Sequence, residues 1–281
     1  MVDADAASPV VPLDGYYLEN GSTSPVVPLE GYYLENGCTV LHDVALVERI
    51  YGTRRLIFLE CHPGAVAAKL PVGWTVRSAT SPKWNLLLSF NDWTSFSRGD
   101  NSPHAIKSPR FVGFIVPVKN DSLRRSGFMQ IYGLAADQKY VPGPYKEYRA
   151  ALYSHTSNFA TDGLDVTWTH DNYRIKPTDS GGEFNLTVSH QRTIVGRAIA
   201  QRPNVTVYSS SDPSIERFYQ EDLILDMPHI PATSTPNVKD FSLNCTIPDL
   251  SEVMASAKLS GMIFNPTYQR DVYERVPRAA S

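Results

Sequence analysis

The sequence predicts a mainly β protein: a single large antiparallel barrel or cone-like domain carrying a few short helices. Three observations lead there. Short apolar or alternating runs, rich in β-branched and aromatic residues, recur between residues 55 and 265. Pro, Gly, Asn, Asp and Ser separate them at close intervals, with 21 Pro among 281 residues. Windows with a helical period are few and short.

In chain order the strand-like runs are 55–61 (RLIFLEC), 84–90 (WNLLLSF), 111–118 (FVGFIVPV), 128–134 (FMQIYGL), 148–153, 164–170 (LDVTWTH), 184–189 (FNLTVS), 205–209 (VTVYS), 241–246 and 262–265. Asp162-Gly163 and Ser180-Gly181-Gly182 read as hairpin turns. Three segments read as helix. Residues 63–70 (PGAVAAKL) form a short one stopped by Pro71. Residues 249–259 place Leu250, Val253, Met254 and Ala257 on one face, with Asp249 or Ser251 as cap. Residues 211–221 offer Ser211 or Asp212 as cap and Pro213 in the first turn.

The N-terminal region carries a duplication. Residues 8–21 read SPVVPLDGYYLENG and residues 24–37 read SPVVPLEGYYLENG, differing at Asp14 and Glu30. Two copies are too few for a solenoid. The expectation is that residues 1–23 are a redundant, flexible tail and residues 24–281 one β-rich domain that binds a small molecule. No low-complexity linker divides that span.

Composition excludes several classes of function. With 42% hydrophobic and 11% aromatic residues the chain is too apolar for intrinsic disorder. A net charge of −3 supplies no basic stripe for a phosphate backbone, so no nucleic-acid partner is expected. The longest strongly apolar run, 111–118, is far short of the roughly 20 residues of a membrane span. The seven His show no metal-ligand spacing, and Cys38, Cys61 and Cys245 form no C-x-x-C pair. No metal and no cofactor are expected. The partner is a small-molecule substrate, and homo-oligomerisation is left open. Asn20, Asn120, Asn185, Asn204 and Asn244 each begin an N-x-S/T sequon, Asn120 and Asn204 in the most loop-like settings. The sequons point to the secretory route, although no signal peptide opens the chain; otherwise the protein is expected in the cytoplasm.

The segment 143–149 (GPYKEYR) is the unusual one: a Gly-Pro turn feeding a run of alternating aromatic and charged residues. Read with period two, Tyr145, Glu147 and Arg149 share one face, and Lys146 and Tyr148 the other. A carboxylate between Tyr and Arg on a barrel's inner wall is a candidate acid or base, so Glu147, Tyr145 and Arg149 are the candidate catalytic residues. Trp84, Trp93 and Trp168 are candidate pocket walls.

GPYKE resembles the G-P-Y-x-E signature of the acetoacetate decarboxylase superfamily. Residues 56–74 (LIFLECHPGAVAAKLPVGW) are similar to that family's opening, and residues 188–197 (VSHQRTIVGR) to the segment before its catalytic lysine. The resemblance spans about residues 54–203. It implies a β cone around a buried pocket, puts the family's signature glutamate on Glu147, and makes Arg197 a candidate substrate contact. The family's Schiff-base chemistry needs a lysine amine. After Gly196-Arg197 this chain reads AIAQRP, with no P-K or K-K pair, and arginine stays protonated. The expected activity is therefore non-covalent: cyclisation, isomerisation or cycloaddition of a largely apolar, natural-product-type molecule. The alternatives are a keto-acid decarboxylase or other lyase with Lys146 or a displaced lysine recruited, and a secreted lipocalin-like binder without turnover.

Overall fold

The structure is a computed structural model that describes residues 31–35, 38–77, 83–98, 109–161, 167–192, 199–201, 204–225, 229–231 and 238–277. The first repeat copy and the Asp162-Gly163 turn lie outside the described residues. The elements, in order, are β1 (Gly31–Glu35), β2 (Cys38–Glu60), α1 (Pro63–Ala67), β3 (Thr75–Val76), β4 (Leu86–Arg98), β5 (Arg110–Asn120), β6 (Arg125–Ala135), β7 (Tyr148–Thr161), β8 (Thr167–Pro177), β9 (Phe184–Arg192), β10 (Ile199–Gln201), β11 (Asn204–Ser209), β12 (Glu216–Leu225), β13 (His229–Pro231), β14 (Val238–Cys245), α2 (Pro248–Met254) and β15 (Lys258–Pro277).

Strands β6, β11, β12, β15, β2, β4 and β5 are hydrogen-bonded in that order, and β5 pairs back onto β6, which closes a barrel. The arm β7–β8–β9–β14 leaves the barrel at β6 and folds over its outside. The expected class is met: mainly β, one sheet curled into a barrel and, among the described residues, two short α-helices. The antiparallel expectation needs correcting at two joints, since β6 runs parallel to both β7 and β11.

Period-two alternation builds two cores from one wall. Along β2, Leu56 and Phe58 face the barrel interior beside Trp93, Phe111 and Phe128. Ile57 and Leu59 face outward and join Leu88, Phe90 and Phe114 under Tyr173, Phe184 and Leu186 of the arm. Phe90 packs tilted against Tyr173 at 4.2 Å between ring centres, and Phe114 meets Phe184 edge-on at 5.7 Å. Both faces of this wall are therefore buried, which explains its near-continuous apolar runs.

The helices are shorter than the sequence suggests. α1 ends at Ala67, and α2 starts with Pro248 in its first turn, not with a side-chain cap at Asp249 or Ser251. Its Leu250, Val253 and Met254 are buried against the outer core, as their spacing predicts. The helix expected over 211–221 is absent. Asp212 instead accepts hydrogen bonds from the Ser214 backbone N–H and hydroxyl, which holds a turn. The chain then enters β12, which has strand partners on both sides in β11 and β15. The Ser180–Gly182 hairpin is present between β8 and β9. Gly182 has φ +85°, and a Cβ there would collide with the Thr246 carbonyl at the end of β14. Cys61 and Cys245 are unbridged thiols. Among the described residues no helix is long and apolar enough to cross a membrane.

Candidate active site

The barrel interior holds a cavity of about 90 Å³. Its walls are largely apolar: Leu56, Leu87, Phe111, Ile115, Phe128, Val205 and Val207, with Pro142, Tyr145 and Tyr148 from the segment that leads into β7. Its polar groups are Arg54, Arg270, Ser89, Asn91 and Gln130. Among the described residues, no Lys, His, Cys, Asp or Glu lines it. Arg54 and Arg270 are buried, with 3% and 8% exposure.

The polar groups are held by a chain of hydrogen bonds along the inner face of β4. The Trp93 indole N–H donates to the Tyr268 hydroxyl at 2.7 Å, and that hydroxyl donates to Asn91 Oδ1 at 3.3 Å. Asn91 Nδ2 donates to Ser89 Oγ at 2.9 Å. The Arg54 guanidinium lies over the Tyr268 ring, 5.1 Å from its centre, and that of Arg270 lies 5.9 Å from Trp93. Gln130 is fixed by donating to the Tyr132 carbonyl. Rigid donors of this kind polarise a bound molecule without reorganising.

Tyr148 reaches the cavity through a glycine slot. Gly113 and Gly133 sit opposite each other across β5 and β6. A Cβ on Gly133 would overlap the Tyr148 ring, and one on Gly113 would lie 3.0 Å from both the Tyr148 hydroxyl and Gln130 Oε1.

The GPYKE segment is not an alternating strand. Residues 143–147 form turns and β7 begins only at Tyr148, so the period-two reading of this segment fails. Tyr145 and Tyr148 line the cavity. Glu147 is buried beside it, not in its lining. Its Oε1 accepts from Ser209 Oγ at 2.5 Å and the Ser211 backbone N–H at 2.8 Å. The Tyr145 hydroxyl donates to the Val207 carbonyl at 3.2 Å. Both residues thus tie the Gly143–Glu147 turn to β11, which supplies Val205 and Val207 to the cavity. Arg149 faces the outer core, with Asp249 at 3.1 Å, Asp179 at 3.6 Å and the Tyr132 ring beneath it. We predict that Glu147→Gln weakens two charge-assisted hydrogen bonds and destabilises the fold by roughly 1–3 kcal/mol. A calorimetric melt unchanged from wild type contradicts that tie.

The other expected residues are scattered. Trp84 is buried against Phe58 at 5.1 Å and does not reach the cavity lining. Trp93 is fully buried and acts through Tyr268. Trp168 lies on β8 with the Lys239 ammonium 4.2 Å from its ring centre. Arg197 and Asn20 lie outside the described residues. Asn120 is not loop-like: it ends β5, is 4% exposed, and its Oδ1 accepts from the Leu123 N–H. Asn204 is the first residue of β11, not a loop position. Asn185 is half-buried and donates to Glu183, and Asn244 is exposed. Arg54, Arg270, Asn91, Gln130 and Tyr148 are the site residues that the sequence reading missed.

The barrel with its interior cavity and the arm across its outer wall share the fold of an acetoacetate decarboxylase-like enzyme. Among solved structures, the chain is similar to an acetoacetate decarboxylase-like enzyme from Sphingomonas wittichii RW1, with a TM-score of 0.50, 14% identity, and coverage of 88% of this chain and 98% of that one. It is also similar to the enduracididine biosynthesis enzyme MppR (TM-score 0.47, 10% identity, 84% of this chain and 90% of that one). A third is the acetoacetate decarboxylase of Legionella pneumophila (TM-score 0.43, 11% identity, 92% and 98%). No family model and no curated protein sequence matches the chain.

Proposed function

We propose that the protein is an enzyme that acts on a small molecule within the barrel cavity and does so without covalent attachment: a cyclisation, isomerisation or cycloaddition of a molecule with an apolar body. The observation that carries this is the cavity lining itself, in which, among the described residues, fixed guanidinium, amide and hydroxyl groups stand among apolar walls and no lysine is present. Imine chemistry needs an amine at the reacting centre. Shape and pre-placed donors serve reactions that need only a near-attack geometry and a polarised bond.

The test is borohydride trapping with acetoacetate and pyruvate, followed by intact mass measurement, beside a turnover screen on polyene, enone and keto substrates. The expected results are no adduct and turnover of one of the screened classes. An adduct on a lysine, lost in Lys146→Ala or another single lysine variant, overturns the reading in favour of a keto-acid decarboxylase. Lys146 is exposed and lies outside the cavity lining. Tight binding without turnover marks a carrier.

A further inference from the structure

We infer that the cavity recognises a neutral molecule in which a hydroxyl group stands beside a carbonyl. The carbonyl accepts from the Ser89 hydroxyl, and the molecule's own hydroxyl donates to Gln130 Oε1. This rests on the cavity being the substrate site and adds which groups the substrate presents.

Hydrogen bonds inside the barrel define one donor and one acceptor. Asn91 Nδ2 donates to the Ser89 carbonyl at 3.0 Å and to Ser89 Oγ at 2.9 Å. The carbonyl settles which end of the Asn91 amide is the nitrogen. Ser89 Oγ is therefore an acceptor toward Asn91, and its own O–H meets no acceptor among the described residues. That O–H ends a run in which every bond points the same way: Trp93 N–H to Tyr268, Tyr268 O–H to Asn91, Asn91 N–H to Ser89. Bonds aligned in this manner polarise one another, which strengthens the last donor. Gln130 follows the same logic. Its Nε2 donates to the Tyr132 carbonyl, so Oε1 is the other end of the amide, and among the described residues nothing donates to it. Gln130 lines the cavity and is 2% exposed. An acceptor buried to that degree calls for a partner.

The two groups are neighbours. Ser89 lies opposite Gly113 across β4 and β5, and residues paired in this way have Cβ positions about 5 Å apart. A Cβ on Gly113 would lie 3.0 Å from Gln130 Oε1 and 3.2 Å from its Nε2. Glycine there lets the Gln130 amide lie over the β5 backbone, next to Ser89. A molecule that meets both groups needs an acceptor and a donor close together. Both protein groups are neutral, so neither calls for a charge on the ligand. An amide oxygen orients a hydroxyl without taking its proton, whereas the Ser89 O–H polarises the carbonyl it meets. Leu56, paired with Ser89 on β2, and Leu87 and Phe128 suit the hydrocarbon that carries the two groups.

Titrations of the full chain followed by NMR, with acetoin, butanone and sec-butanol as probes, test this. The three share one carbon skeleton: acetoin carries both groups, butanone the carbonyl alone and sec-butanol the hydroxyl alone. Acetoin should bind about tenfold tighter than either, the scale of one hydrogen bond lost. Gln130→Met fills nearly the same space without the acceptor and should erase the advantage of acetoin over butanone. Ser89→Ala should erase its advantage over sec-butanol and leave that over butanone in place. Three results overturn the proposal: no binding of acetoin, binding of butanone or sec-butanol as tight as that of acetoin, or advantages that survive both substitutions. If a variant does not fold, the wild-type series still decides. A preference for acetoin without turnover of any screened substrate overturns the enzyme reading and leaves the donor–acceptor site standing. Turnover confined to substrates without a hydroxyl group overturns this inference and leaves the enzyme reading standing.

Discussion

Asp171→Asn should destabilise the protein by about 3–5 kcal/mol, the usual cost of stripping one partner from a buried ion pair. Asp171 lies on β8 with no exposed surface and joins the arm to the barrel wall. Its Oδ2 accepts from Arg55 Nε of β2 at 2.7 Å and faces His190 Nε2 of β9 at 3.3 Å, and its Oδ1 meets His155 Nε2 of β7 at 2.9 Å. His155 stacks flat on Tyr173, its Nδ1 3.8 Å from Asp92 of β4, which Arg110 of β5 holds at 2.7 Å. Asparagine fills the same space but leaves Arg55 buried without its counter-charge. The melting temperature should fall by roughly 10 °C for a chain of this size, and a shift of a degree or two would remove the network from the list of what fastens the arm. The pH dependence has two limbs. Burial alone raises the Asp171 carboxyl, but hydrogen bonds from His155 and His190 and the Arg55 charge outweigh it and hold it well below the usual range. Its contribution is complete above the unfolded value near 3.9 and is lost as pH falls through the folded value. Burial likewise opposes charge on His155, yet Asp171 and Asp92 raise it above the ordinary histidine value. That contribution is complete below about 6.5 and fades as pH rises through the raised value. Stability of the wild type measured against pH should therefore decline on both sides, and Asp171→Asn should flatten the acid limb.

What the sequence shows and what it hides divide along one physical line. The apolar, β-branched and aromatic runs such as RLIFLEC and WNLLLSF are local, so the strands are readable. Arg55 opens the first of these runs and Arg54 precedes it. Only barrel closure and the folded-over arm bury them, one in the cavity and one against Asp171, and neither event has a local signature. β15 runs for 20 residues, but register shifts between Leu259 and Gly261, Asn265 and Tyr268, and Val272 and Tyr273 break its period. The visible pattern shrinks to residues 262–265, and Tyr268 and Arg270 go unread. The GPYKE segment fails in the opposite way. Its residues alternate in chemistry, but turns through Glu147 turn the side chains away from a period of two. The motif is legible and the direction of its glutamate is not.

Gly133→Ala should disable both the barrel wall and the cavity through one methyl group. The new Cβ would overlap Cδ1, Cε1 and Cγ of the Tyr148 ring, closer than real Cβ atoms approach. The obstacle is a ring, not the end of a flexible chain. Tyr148 is buried, meets Phe111 edge-on at 5.7 Å, and its backbone pairs with Gly133 itself. The ring cannot slide along its slot without displacing the wall of the cavity. Overpacking at such a site costs about 1–3 kcal/mol, sometimes more. The same displacement moves the Tyr148 ring at the cavity wall, so the melting temperature should fall. Tyr148→Ala separates the clash from any intrinsic need for glycine at this position. Removing the ring is itself expensive, about 3–5 kcal/mol for a large buried aromatic. Placing Gly133→Ala on that background should then be neutral or slightly stabilising, because the space is open and alanine lowers the freedom of the unfolded chain. The coupling between the two substitutions should reach the upper part of the 0.5–3 kcal/mol range of contacting residues. If instead Gly133→Ala destabilises the Tyr148→Ala protein as much as it does the wild type, the glycine serves the backbone alone, and the slot does not place Tyr148.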